Sequence, residues 1–240
     1  MEKYLFEREW KEAVLIRKDN KSTVLVINGE EMEICCPKIV RGNITEGGMP
    51  CLVSESRHSK NGKYEIMAFS LDNPKMGNKD WICLRPIIFE DAIEHFLASH
   101  QMEELDNGCK VYEELKVAGK KWDLVTGNAY IEINVPDAIL NAAGGGWMQV
   151  KSLMLTAEKI ARYESAFASL GDTGKKMVFL TIFQHGLNER MQDWLCRELS
   201  RYFAMDMDER VEFWIADLKL EPDGIGLLSY QNITGRVLLS

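Results

Sequence analysis

The chain reads as an α/β protein, α+β overall, in which a small all-β unit precedes a sheet flanked by helices. Three observations predict this. Short apolar runs separated by turn residues fill the first third, no helical period is sustained before Pro86, and beyond it helical and strand-like patterns alternate. The boundary falls near Arg85-Pro86, which gives one domain at 1–85 and a second at 86–240.

In the first unit, Ala13–Arg17, Thr23–Ile27 and Met32–Cys36 read as strands of a meander, joined by Lys18-Asp-Asn-Lys21 and Asn28-Gly29-Glu30-Glu31. Further apolar patches at Pro50–Ser54, Tyr64–Ser70 and Trp81–Leu84 complete an OB-like β-barrel of five or six short strands. From Pro86, Ile88, Ala92 and Phe96 with Phe89, Ile93 and Leu97 predict a helix to about His100. Two more helices are expected over about Thr156–Leu170 and Asn188–Phe203. Strand-like runs lie at Lys110–Val117, Lys121–Val125, Ala129–Val135, Met177–Phe183 and Arg210–Leu218. Gly144-Gly145-Gly146 and the Gly171–Lys176 segment read as turns; the second lies between helix and strand, the reverse of the order that aims N–H groups at phosphate.

With 240 residues, 46% of them apolar, the chain can bury one large core or two small ones. No window approaches the roughly 20 apolar residues that span a bilayer, so the expectation is a cytoplasmic protein with no membrane association. Six cysteines carry no C-x-x-C pair and are expected to be buried apolar residues in a reducing compartment. The acidic excess is uneven: Lys+Arg against Asp+Glu is 14 to 13 in residues 1–85 but 15 to 24 in 86–240. That argues against a simple nucleic-acid clamp, which needs a basic stripe.

The chemistry concentrates in one hairpin. Lys121–Thr126 and Ala129–Asn134 flank Gly127-Asn128, a dipeptide suited to a two-residue turn. Paired positions then sum to 255, setting Asp123 opposite Glu132 and Trp122 opposite Ile133. Period-2 alternation places Trp122, Leu124, Ile131 and Ile133 on one buried face, and Asp123, Glu132 and Asn134 on the other. Opposed carboxylates about 4.5–5.5 Å apart at Cβ repel unless water, a basic neighbour or a shared cation relieves them. A divalent metal is one solution; a solvated face balanced by Lys121 and Lys116 is the other.

An Asp on one strand and Glu-x-Lys on the next is the pattern of the restriction-endonuclease-like PD-(D/E)xK core. Here the runs are Lys121-Trp122-Asp123-Leu124 and Tyr130-Ile131-Glu132-Ile133-Asn134. They resemble the S-R-[LI]-D-F and Y-[IV]-E-V-K motifs of the SfsA (sugar fermentation stimulation protein) family, with Asn134 in place of the lysine. The likeness extends to Ala13–Arg17, Cys35-Cys36-Pro37, Trp81–Leu84, Glu158–Arg162 and Ile215–Gly224. Departures fall where that family carries basic or N-T motifs: Asp19-Asn-Lys-Ser22, Lys38-Ile39-Val40, Arg85-Pro86 and Glu90-Asp91.

The resemblance implies a nucleic-acid-associated protein with a degenerate Mg²⁺-dependent (or Mn²⁺-dependent) nuclease site, its activity weak or lost. Asp123, Glu132 and the backbone carbonyl of Ile133 would hold the metal, and no organic cofactor is expected. Asn134 can orient water but carries no charge and no mobile proton. Lys159 or Arg162 on the following helix, or Lys151 before it, would have to reach over the hairpin as a substitute; a solvated helix face is the alternative. A non-catalytic regulatory scaffold, using the acidic second half to contact a basic protein partner, is the competing reading.

Overall fold

The computed structural model describes residues 2–17, 23–36, 40, 44–56, 63–108, 110–136, 138–140, 148–150, 157–171, 173–184, 189–201 and 208–239. Its first strand, β1 (Tyr4–Leu5), belongs to the large sheet formed mainly by the second half of the chain. There follow β2 (Lys11–Arg17), β3 (Thr23–Ile27), β4 (Glu30–Glu33), β5 (Met49–Glu55), β6 (Tyr64–Phe69) and β7 (Ile82–Cys83), forming a six-stranded antiparallel sheet in the order β4-β3-β2-β5-β6-β7. Asn28 and Gly29 take positive φ of 51° and 80°, the primed turn that pairs Ile27 with Glu30. Among the described residues β4 and β7 do not pair, so the sheet curls without closing. Its inner face is a core of Leu15, Leu25, Cys51, Val53 and Phe69.

Helix α1 (Ile87–Ala98) starts directly after Pro86, whose φ of −54° already suits a helix. It buries Phe89, Ala92, Ile93, Phe96 and Leu97, and is followed by the single turn α2 (Glu103–Asp106). Next come the short strands β8 (Tyr112–Glu113), β9 (Lys116–Val117), β10 (Lys120–Lys121) and β11 (Leu124–Val125), then the longer β12 (Ala129–Asn134). The continuous strands expected at Lys110–Val117 and Lys121–Val125 are thus broken. Glu114, Ala118 and Gly119 all have positive φ, which interrupts extended backbone and folds β9 onto β10 as a separate hairpin.

A small hairpin of β13 (Ala138–Leu140) and β14 (Met148–Val150) precedes α3 (Ala157–Ala168), β15 (Lys176–Phe183), α4 (Glu189–Ser200), β16 (Val211–Glu221), β17 (Gly224–Asn232) and α5 (Thr234–Leu239). The Gly144–Gly146 turn, Thr156, Asn188 and Tyr202-Phe203 lie outside the described residues. The seven-stranded sheet has the order β1-β17-β16-β15-β12-β11-β8, with β12, β15 and β16 parallel. Parallel neighbours need crossovers, which α3 and α4 supply. Gly224 permits the edge pairing with β1, because a Cβ there would sit 2.1 Å from the Tyr4 carbonyl oxygen.

Helices cover both faces of this sheet. One face packs Ile131, Ile133, Val178 and Leu180 with α1 and with Trp10, Met67 and Trp81 of the first unit. The other packs Tyr130, Phe179 and Phe213 with Ile160 and Phe167 of α3 and Leu195 and Leu199 of α4. Each such side chain contributes about 1.5–3 kcal/mol. Gln184 ties the two sheets by accepting the Cys83 N–H at 2.8 Å. No helix among the described residues is long and apolar enough to cross a membrane. Cys36, Cys51, Cys83 and Cys196 are buried thiols, whereas Cys35 is exposed, contrary to the expectation that all six are buried; Cys109 lies outside the described residues.

Candidate functional site

The hairpin register is the one the arithmetic predicts, with Leu124 paired to Ile131 and Val125 to Tyr130. Below Leu124 the ladder changes. Continued regularly, it would have the Ile133 N–H donate to the Trp122 carbonyl. Instead that N–H donates to Asp123 Oδ2 at 2.7 Å, while the Trp122 N–H turns away to the Leu115 carbonyl at 3.1 Å.

This bend corrects one expectation. Trp122 does not share a face with Leu124, Ile131 and Ile133; it packs on the opposite face, 4.9 Å from the Tyr163 ring and 5.3 Å from the Tyr130 ring. The alternation rule fails because residue 123 replaces a main-chain acceptor with its own carboxylate.

Nor is the polar face solvated. Glu132 is 4% exposed and Asn134 1%, beneath the layer that α3 adds. Lys121 pairs with Glu114 instead. The partner of Glu132 is Lys159, from the first turn of α3, whose Nζ meets Oε1. Tyr163, one turn further along the same helix, donates its hydroxyl to the Lys121 carbonyl at 3.1 Å. Arg162 does not join the group; its Nε donates to the Glu158 carbonyl of its own helix at 3.3 Å. Lys151 lies outside the described residues.

Several buried polar atoms have no hydrogen-bond partner among the described residues: Glu132 Oε2, both amide atoms of Asn134 and Trp122 Nε1. Such groups cost about 1–3 kcal/mol each when unsatisfied, so the cluster is expensive to keep. Burial, first of all, raises the Asp123 carboxyl above its usual range, against the opposing pull of the Ile133 N–H and Lys159. Burial likewise raises Glu132, aided by the charge of Asp123 and opposed by Lys159. The Tyr163 hydroxyl is pushed up by burial and by Glu132 beside it.

Sequence reasoning overlooked Glu90 on α1, pushed up to about 6 by burial and then by Asp123, Asp91, Glu132 and Glu114. One turn on, Glu94 is pushed up to about 7 by its hydrogen bond with Glu113, by burial and by Asp91. The signal was present as acids at positions 90, 91 and 94, a single helix face. Tyr163 lies in the helix expected over Thr156–Leu170, four residues after Lys159, a spacing that places both on one face.

Among the described residues no three His, Cys, Asp or Glu side chains form a group able to enclose a cation. The donor set is two adjacent carboxylates, Asp123 and Glu132, the second already held by Lys159. That fits Mg²⁺ or Mn²⁺, hard cations that commonly take one or two carboxylates and fill the remaining positions with water.

The fold and site define a mixed α+β protein with a carboxylate pair, Glu132 buried and Asp123 half-buried, on a partly parallel sheet and a lysine reaching it from the covering helix. Among solved structures it is similar to that of Pyrococcus furiosus SfsA in complex with Ca²⁺, at 15% identity and a TM-score of 0.52, over 96% of this chain and 98% of that one. At that identity the likeness shows a shared SfsA-like fold. No family model matches the chain, and no curated protein matches it.

Proposed function

We propose that the chain is a divergent SfsA-like, nucleic-acid-associated protein whose second half is a PD-(D/E)xK-type core with a weak divalent-cation site, preceded by an OB-like unit. The observation that carries this reading is the arrangement around Glu132: a buried carboxylate beside Asp123, held by Lys159 with the Tyr163 hydroxyl close by, next to the buried amide of Asn134, unpartnered among the described residues. A purely structural ion pair has no need of the second carboxylate or of the buried, unsatisfied Asn134.

Asp123, Glu132 and the Ile133 carbonyl would hold Mg²⁺ or Mn²⁺, which lowers the pKa of bound water and offsets phosphate charge. Asn134 would orient water through its amide. Lys159 would supply from α3 the positive charge that the strand lacks at position 134. Arg162, turned back on its own helix, is the weaker candidate.

The test is a Mn²⁺-supplemented cleavage assay on DNA and RNA with wild type, Asp123→Ala, Lys159→Ala and Asn134→Lys. Cleavage by wild type, lost in Asp123→Ala and reduced about 10²–10³-fold in Lys159→Ala, supports an active site with a relocated lysine. Cleavage by Asn134→Lys alone marks a disabled nuclease. If no protein cuts and none shifts nucleic acid in a low-salt gel, the nuclease-like reading fails. The second reading then stands, a non-catalytic scaffold for a basic protein partner, which the acidic group of Asp91, Glu94 and Glu113 favours.

A further inference from the structure

We infer that Lys159 is a built-in counter-ion that competes with the divalent cation for Glu132, so that the protein folds without metal and binds it weakly. The inference rests on the cation-site reading above and concerns how that site is regulated. Two carboxylates side by side, one of them 4% exposed, cannot be kept charged inside the protein without a cation. In many metal sites the ion fulfils that need and the fold depends on it.

Here the need is met from within. Lys159 Nζ reaches Glu132 Oε1, while its side chain keeps 22% exposure, a route by which the ammonium can withdraw to solvent. Asp123 is steadied separately by the Ile133 N–H at 2.7 Å. A divalent cation entering between the carboxylates meets the Lys159 charge at close range and competes with it for the charge of Glu132. Asn134, with both amide atoms unpartnered among the described residues, adds no positive charge to that competition. A lysine at position 134 would have added one.

The expected results follow from removing the competitor. Lys159→Met should lower the melting temperature by about 5–10 °C without metal, since a buried carboxylate loses its partner. Added Mn²⁺ should restore it. Titration calorimetry should show Mn²⁺ binding at least about tenfold tighter than in wild type. The double variant Glu132→Gln, Lys159→Met should be stable without metal and indifferent to Mn²⁺.

If Lys159→Met is recovered only by refolding with Mn²⁺, the inference holds; if it refolds in neither condition while the double variant folds, it fails. Equal Mn²⁺ affinity in wild type and Lys159→Met overturns the competition but leaves the cation site standing. Absence of Mn²⁺ binding in both proteins overturns the cation site itself.

Discussion

Strand β12 is buried on both faces, and the two faces are filled by different chemistry. On one side Ile131 and Ile133 join the apolar core under α1. On the other, Tyr130 gives way to Glu132 and Asn134 beneath α3. A strand enclosed in a parallel arrangement normally reads as a continuous apolar run. The polar side therefore gives up stability that the apolar side keeps, a cost that the proposed cation site would explain.

The largest expected effect sharpens the apolar half of the comparison. Ile131→Ala should cost about 2–5 kcal/mol in urea denaturation, and Mn²⁺ affinity should stay close to that of wild type. Equal loss of both would mean that the faces are not independent. On the polar side, Asn134→Leu should raise stability by about 1–2 kcal/mol, because it removes a buried amide with no partner among the described residues. A loss of similar size would show that Asn134 is satisfied after all. Tyr163→Phe should cost about 1 kcal/mol through its hydrogen bond to the Lys121 carbonyl, and should loosen the docking of α3 that presents Lys159.

The smallest effect lies outside the strand. Glu94 rises from the usual 4.5 to about 7, so the folded chain holds its proton where the unfolded chain has released it. Stability from this group is fully present below about 4.5 and is lost as pH rises towards about 7. Glu94→Gln should therefore raise the melting temperature more at pH 8 than at pH 4, by a degree or so on this part-exposed surface, roughly the scale of a weak surface pair. A larger gain at pH 4 would reverse the sign and exclude the pairing with Glu113.

Much of this arrangement was legible in the sequence. Asn28-Gly29 and Gly127-Asn128 marked turns, and the 255 sum set the register of β11 on β12. What escaped depended on contacts that local pattern does not encode. A side-chain carboxylate taking over a ladder hydrogen bond broke the alternation at Asp123 and sent Trp122 to the other face. The burial of Glu132 follows from α3 docking over it, although Lys159, which meets it there, was named from the sequence as able to reach over the hairpin. Strand β17 was missed because exposed polar residues dilute its apolar pattern, and β1 because two residues carry no period.

The proposed divalent cation on the polar face of β12 is open to direct measurement. It is tested most directly by titrating wild type and Asp123→Ala with Mn²⁺ and following free Mn²⁺ by its electron paramagnetic resonance signal. Uptake of one ion per chain by wild type and its loss in the folded variant are expected. Uptake by neither protein, or equal uptake by both, contradicts the proposal.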